Sequence, residues 1–113
     1  MAYKEYQLQE AVARYLDVLG VLWSHVANER KTSRIKGGRL KKAGVKSGVP
    51  DCLVFEPSGD YCGLAIELKV GRNKPSDTQI QFMLDMEKKG WKTAICWDLD
   101  SVIDLVDEYL KIK

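Results

Sequence analysis

Apolar positions Leu8, Val12, Tyr15, Leu16 and Leu19 recur at intervals of three and four, the helical period, so Lys4 to Leu19 is predicted to be a helix stopped by Gly20. At about 100° per residue, Glu5 falls on the same stripe as Leu8 and Val12, whereas Glu10 falls on the solvated face. Val21 to Ala27 reads as a strand. Asn28 to Ser47 is polar, basic and glycine-bearing, which predicts a loop long enough to be functional. Asp51 to Glu56 and Cys62 to Lys69 are two apolar, β-leaning runs, and Pro57-Ser58-Gly59-Asp60 between them is a good turn, so they are expected to form a hairpin. Ser76 or Asp77 can cap a helix that runs to Lys89 and ends at Gly90. Trp91 to Trp97 reads as a final strand, and Asp98 to Ser101 opens a last helix on Val102, Ile103, Leu105, Val106, Tyr109 and Leu110. The predicted order is α-β-β-β-α-β-α, an α/β fold without repeats.

Composition narrows this picture. A chain of 113 residues, 45% apolar, can bury one modest core, so residues 1–113 are expected to be a single domain. No run approaches the roughly 18 apolar residues of a membrane span, and Met1-Ala2-Tyr3-Lys4-Glu5 lacks a signal peptide's apolar core. No membrane association and a cytoplasmic location are expected. Cys52, Cys62 and Cys96 are odd in number and accompanied by one histidine, His25, which suggests buried thiols, neither a disulfide framework nor a zinc knuckle. His25 is assigned no catalytic role. The net charge of +2 is unevenly spread. Arg30, Lys31, Arg34, Lys36, Arg39, Lys41, Lys42 and Lys46 have no acid among them, whereas Asp98, Asp100, Asp104, Asp107 and Glu108 make the C-terminal region acidic. The basic segment is suited to phosphate contacts that position nucleic acid without reading its sequence.

The hairpin carries the chemistry. If it closes around Ser58 and Gly59, residues whose numbers sum to about 117 or 118 face one another, and Asp51 lies opposite Ile66 or Glu67. The second register, or a one-residue bulge, brings the acids side by side with Cβ atoms roughly 4.5–5.5 Å apart. Glu67 and Lys69 point to one face, about 6.7 Å apart. Two acids and a lysine in covered strands are costly unless paired, and a divalent cation would relieve the repulsion between the carboxylates. Hard oxygen ligands suit Mg²⁺ or Mn²⁺, which bind one or two carboxylates, several waters and a substrate phosphate. Lys69 can then hold or polarise the attacking water.

Pro50-Asp51, a gap, and Glu67-Leu68-Lys69 resemble the PD-(D/E)xK nuclease motif. Gly48-Val49-Pro50-Asp51, Ile66-Glu67-Leu68-Lys69, Ser76-Asp77-Thr78-Gln79 and Gly90 together resemble the virus-type replication-repair nuclease (VRR-NUC) family, over Glu5 to Trp97. The resemblance implies a restriction-endonuclease-like core, a mixed sheet flanked by helices, in a stand-alone protein of phage or bacterial type. It implies that Asp51 and Glu67 are metal acids, that Lys69 is the catalytic lysine, and that Leu68 offers its backbone carbonyl to the metal. The family's helical acid would fall at Glu5, which the helical phase favours over Glu10. The family glutamine matches Gln79, placed on the inward face with Met83 and Met86, whereas Gln81 points outward.

The expected reaction is metal-assisted phosphodiester hydrolysis, with one or two cations left open. Stand-alone members of the resembled family look like Holliday-junction resolvases, which implies branched DNA as substrate and a role in DNA repair. Symmetric cutting by so small a chain implies a homodimer. The alternative reading is a non-catalytic nucleic-acid-binding accessory of a phage replication or packaging machine, acting through its basic loop.

Overall fold

The computed structural model describes residues 4–26 and 34–112. Among the described residues, four helices and four strands follow one another as α1 (Glu5–Leu19), β1 (Trp23–His25), α2 (Arg34–Lys42), β2 (Cys52–Val54), β3 (Gly63–Leu68), α3 (Asp77–Lys88), β4 (Trp91–Cys96) and α4 (Leu99–Leu110). The sheet runs β1-β2-β3-β4; the first two pairings are antiparallel and β3-β4 is parallel. This is the expected mixed α/β sheet flanked by helices. Among the described residues, no helix is long and apolar enough to cross a membrane.

One element departs from the sequence reading. Within the segment read as a loop, Arg34 to Lys42 forms α2. Arg, Lys, Ile and Leu are adequate helix formers, and two internal glycines cost about 1 kcal/mol each without forbidding a short helix. Arg39, Lys41 and Lys42 lie in its last turn, where cations complement the helix dipole. Strands β1 and β2 are also shorter than their apolar runs.

The core lies on one face of the sheet. Leu64, Ile66 and Leu68 of β3 pack with Cys52 and Val54 of β2, Leu8, Val12 and Leu16 of α1, and Val102, Val106 and Tyr109 of α4. Alternation along β3 sends Ala65 and Glu67 to the other face, where α3 meets the sheet. At its turn, Gly63 lies under Trp91, whose ring carbons would stand 2.5–2.8 Å from any Cβ. Buried Ser58, in the hairpin turn, shares its one hydroxyl hydrogen between the carbonyls of Tyr109 and Ile112 and ties the turn to the end of α4. The helix ends follow their sequence signals: Gly20 is left-handed at φ 80°, Ser76 caps α3, and Asp98 accepts the Ser101 N–H at 2.7 Å.

The cysteines divide. Cys52 and Cys96 are buried, but Cys62 is exposed, correcting the expectation of three buried thiols. Cys62 directly precedes β3 at the end of the turn, outside the core. Burial is the main cause that pushes Cys52 up to about 12 and Cys96 to about 11.

Candidate active site and metal centre

Pro50 has no main-chain N–H to give to a ladder, so β2 starts after it and Asp51 stands at the strand's entry. The Asp51 carbonyl accepts from the Val26 N–H and from His25 Nδ1, both at 2.8 Å. A carbonyl can only accept, so Nδ1 carries the proton in that contact. The hairpin pairs Cys52 with Ile66 and Val54 with Leu64, all summing to 118; one further step sets Asp51 opposite Glu67. Asp51 Oδ2 then accepts the main-chain N–H of Leu68 at 2.7 Å. The Leu68 side chain itself belongs to the core.

Carboxylate oxygens of Glu5, Asp51 and Glu67 lie within 4.8 Å of one another. Asp51 and Glu67 are buried and Glu5, in the first turn of α1, is half-buried. Glu10 stands exposed on the same helix. Lys69 Nζ lies 3.2 Å from Glu67 Oε2, with side-chain exposures of only 6% and 0%. Such a buried pair loses much of its Coulomb gain to desolvation. Burial also holds the Asp51 carboxyl above the ordinary aspartate range, and the Glu5 charge adds to this; the Leu68 N–H, His25 and Lys69 pull the other way.

Gln79 is fixed at both ends of its amide. Its Oε1 accepts the Ser76 N–H at 2.8 Å, while Ser76 Oγ accepts the Gln79 N–H at 3.1 Å, a reciprocal capping box. With the oxygen occupied, Nε2 donates to Glu67 Oε2 at 3.0 Å. The same cap that starts α3 therefore orients Glu67.

Three carboxylates face one buried ammonium, and all the candidate donors are hard oxygens. That set fits a divalent cation of the Mg²⁺ or Mn²⁺ kind, which would offset the excess negative charge. Beside it opens a cleft of about 680 Å³ lined by Glu5, Lys46, Gly48, Lys69, Asn73, Lys74, Ser76, Thr78 and Gln79, among others. Its walls touch where Gly48 meets Thr78, since a Cβ on Gly48 would stand 2.8 Å from the Thr78 carbonyl oxygen.

The structure thus brings Glu5, Asp51, Glu67, Lys69 and Gln79 together and puts Lys46 on the cleft. Arg39, Lys41 and Lys42 sit on α2, as do Arg34 and Lys36, while Arg30 and Lys31 lie outside the described residues. Sequence reasoning gave no site role to Asn73, Lys74, Ser76 or Thr78, whose approach depends on how the loop after β3 folds back. The contact between His25 and the Asp51 carbonyl was also missed; the sole histidine, in a segment read as a strand, was its only signal.

A mixed sheet carrying Pro-Asp at the entry of one strand and Glu-x-Lys at the exit of its neighbour defines a PD-(D/E)xK-like nuclease fold. More narrowly, the chain belongs to the VRR-NUC domain family, whose sequence model matches residues 3–97. A solved structure described as a VRR_NUC domain protein is similar at 22% identity and a TM-score of 0.84, covering 99% of this chain and 92% of that one. Another, described as a VRR_NUC domain, shows 22% identity and a TM-score of 0.62 over 93% and 96% of the two chains. Both likenesses bear on the fold. No curated protein matches the chain. Family membership implies a nuclease-type function with DNA as substrate, and suggests a divalent metal.

Proposed function

We propose that this protein is an Mg²⁺- or Mn²⁺-dependent endodeoxyribonuclease that hydrolyses phosphodiester bonds in branched DNA such as Holliday junctions. The observation that carries this reading is the convergence of Glu5, Asp51 and Glu67 within 4.8 Å, beside a lysine paired to Glu67. Glu5, Asp51 and Glu67 would hold the cation, with the Leu68 carbonyl completing the protein's ligands. When bound, such a cation supplies charge neutralisation at the phosphate and lowers the pKa of a water.

The chain's own residues do the rest. Lys69, held by Glu67, donates toward the phosphate oxygens or the attacking water. Gln79 keeps Glu67 in place, and its hydrogen bond prevents that carboxylate from rotating away. Lys46 meets a neighbouring phosphate, and the remaining basic residues of its segment extend that contact along the backbone.

One acid cluster cuts one strand, so symmetric resolution of a junction calls for two copies, and we take the working form to be a homodimer. The test incubates purified protein with a four-way junction, a linear duplex of equal length and supercoiled plasmid, with Mg²⁺, Mn²⁺ or chelator. Metal-dependent cutting that favours the junction, and is lost in Lys69→Ala, is expected. No metal-dependent cutting defeats the nuclease reading, equal cutting of linear duplex defeats the branched-DNA reading, and a monomer by sedimentation on the junction defeats the dimer.

A further inference from the structure

The sheet end that bears Lys69 also bears an aromatic side chain that the mechanism above does not use. Strands β3 and β4 are parallel, with Leu68 paired to Cys96, and the Lys69 N–H continues the ladder to the Cys96 carbonyl at 3.0 Å. Leu68 and Cys96 both face the core, so the next step places Trp97 beside Lys69 on the opposite face, the one that carries Glu67. Ligands of open sheets gather at such carboxyl ends of parallel strands.

Trp97 is 42% exposed there. Its single polar atom is already engaged, because Nε1 donates to the Asn73 carbonyl at 2.9 Å. What it presents to solvent is therefore ring carbon, held in a set orientation by that bond. Gly71, at φ +58°, and the Asn73 N–H to the Val70 carbonyl turn the chain back beside the ring. Asn73 and Lys74 line the cleft, and Arg72 is exposed on the other side of Asn73. An open π-surface bonded to a loop whose Asn73 and Lys74 line the cleft, with basic Arg72 and Lys74 on either side of Asn73 in the chain, matches the way proteins hold single strands, stacking on the bases while basic side chains follow the backbone.

We propose that Trp97 and the loop from Val70 to Pro75 form a stacking platform for an unpaired nucleobase of the bound DNA. Bases within an intact duplex already stack on both faces, so only a base released at a branch, flap or frayed end can use the ring. The proposal rests on the reading that the chain acts on DNA, and it deepens that reading by giving the site a reason to prefer strands that leave the duplex.

The test measures binding in chelator, where no cutting occurs, so that loss of catalysis and loss of stacking are read separately. Trp97→Phe and Trp97→Leu both remove the bond to Asn73 and both fill space, but only Phe can stack. The probes are an oligothymidylate carrying one 2-aminopurine and a blunt duplex of equal length. Trp97→Leu is expected to bind the single strand about 5- to 150-fold more weakly than the parent protein, while Trp97→Phe stays within about threefold. Duplex binding should change less than about twofold in both, and the 2-aminopurine quenching that accompanies binding should be lost in Leu alone. Equal weakening by Phe and Leu would show that Trp97 only straps the loop. Parallel losses on duplex and single strand, or no change in either variant, would equally overturn the proposal. Metal-dependent cutting of junctions by the parent protein is scored independently of all three results.

Discussion

The carboxylate of Asp51 accepts the main-chain N–H of Leu68 at 2.7 Å, so one half of the motif is hydrogen-bonded to the middle residue of the other. The carboxylate stands in for the ladder acceptor that Pro50, opposite Leu68 in this register, would supply if β2 extended two residues further. Asn keeps an acceptor for the Leu68 N–H but removes the charge, whereas Ala removes both. Asp51→Asn is therefore expected to fold normally and to lose cutting by more than the roughly 10–100-fold typical of a supporting residue in a metal site. Near-parental rates with an intact circular dichroism spectrum would take Asp51 out of the centre.

Three carboxylates whose oxygens lie within 4.8 Å of one another are a place where a bound cation would offset like-charge repulsion. A cation bound to the native state alone should stabilise it by about 1.4 kcal/mol at ten times its Kd. For a chain of this size that corresponds to a rise in Tm of about 6 °C. Differential scanning calorimetry with and without Mn²⁺ checks this, and Glu67→Gln should reduce the rise. An unchanged Tm at millimolar Mn²⁺ would argue against a cation at these acids.

The direction of the Asp51 shift sets a sign for the pH dependence. Burial first, and then Glu5, raise its pKa in the folded state. Between the unfolded and folded values the native state retains a proton that the unfolded chain has lost, so stability falls as pH rises through that window. Metal-free protein should thus gain stability from this group on mild acidification from neutral pH, and Asp51→Asn should flatten that part of the curve. Urea unfolding across pH 4 to 7 in chelator measures it. A parental slope that the variant leaves unchanged would refute the assignment.

Thiol reactivity should follow burial. Cys52, pushed up to about 12, and Cys96, to about 11, remain protonated near neutral pH, whereas Cys62 is exposed. Ellman's reagent at pH 8 should therefore modify Cys62 quickly in the native protein and the other two only after denaturation. Fast modification of Cys62→Ser would contradict this.

Gly48 combines a backbone at φ +88° with a contact that leaves no room for a side chain against the Thr78 carbonyl. Gly48→Ala must either strain the backbone or part the walls of the cleft. A loss of about 1–3 kcal/mol in unfolding free energy is expected, with weaker DNA binding because Lys46 and Ser47 precede it on the same wall. Gly20→Ala, also at positive φ but with nothing within 4 Å, serves as the comparison for strain without a clash.

The features that sequence made legible are those set by short-range rules. The Pro57 to Asp60 turn fixed the hairpin register to within one residue, and a register fixes which side chains meet. Helical phase placed Glu5 on the inward stripe, and the structure finds it half-buried beside Asp51 and Glu67. The features that escaped depend on longer-range or weaker terms. α2 has only Ile35 and Leu40 as large apolar residues around two glycines, too little pattern to declare a helix. Lys74 lines the cleft next to Asn73, whose carbonyl accepts from Trp97, 24 positions further along.

The three acids also differ in how far along the chain their meeting must be arranged. Asp51 and Glu67 come together when a single hairpin closes, a local event with a modest entropic cost, whereas Glu5 arrives only when α1 docks across the sheet. Completion of the acid cluster thus requires α1 to be docked. The full centre is therefore a tertiary feature, present only where the N-terminal helix is seated on the sheet.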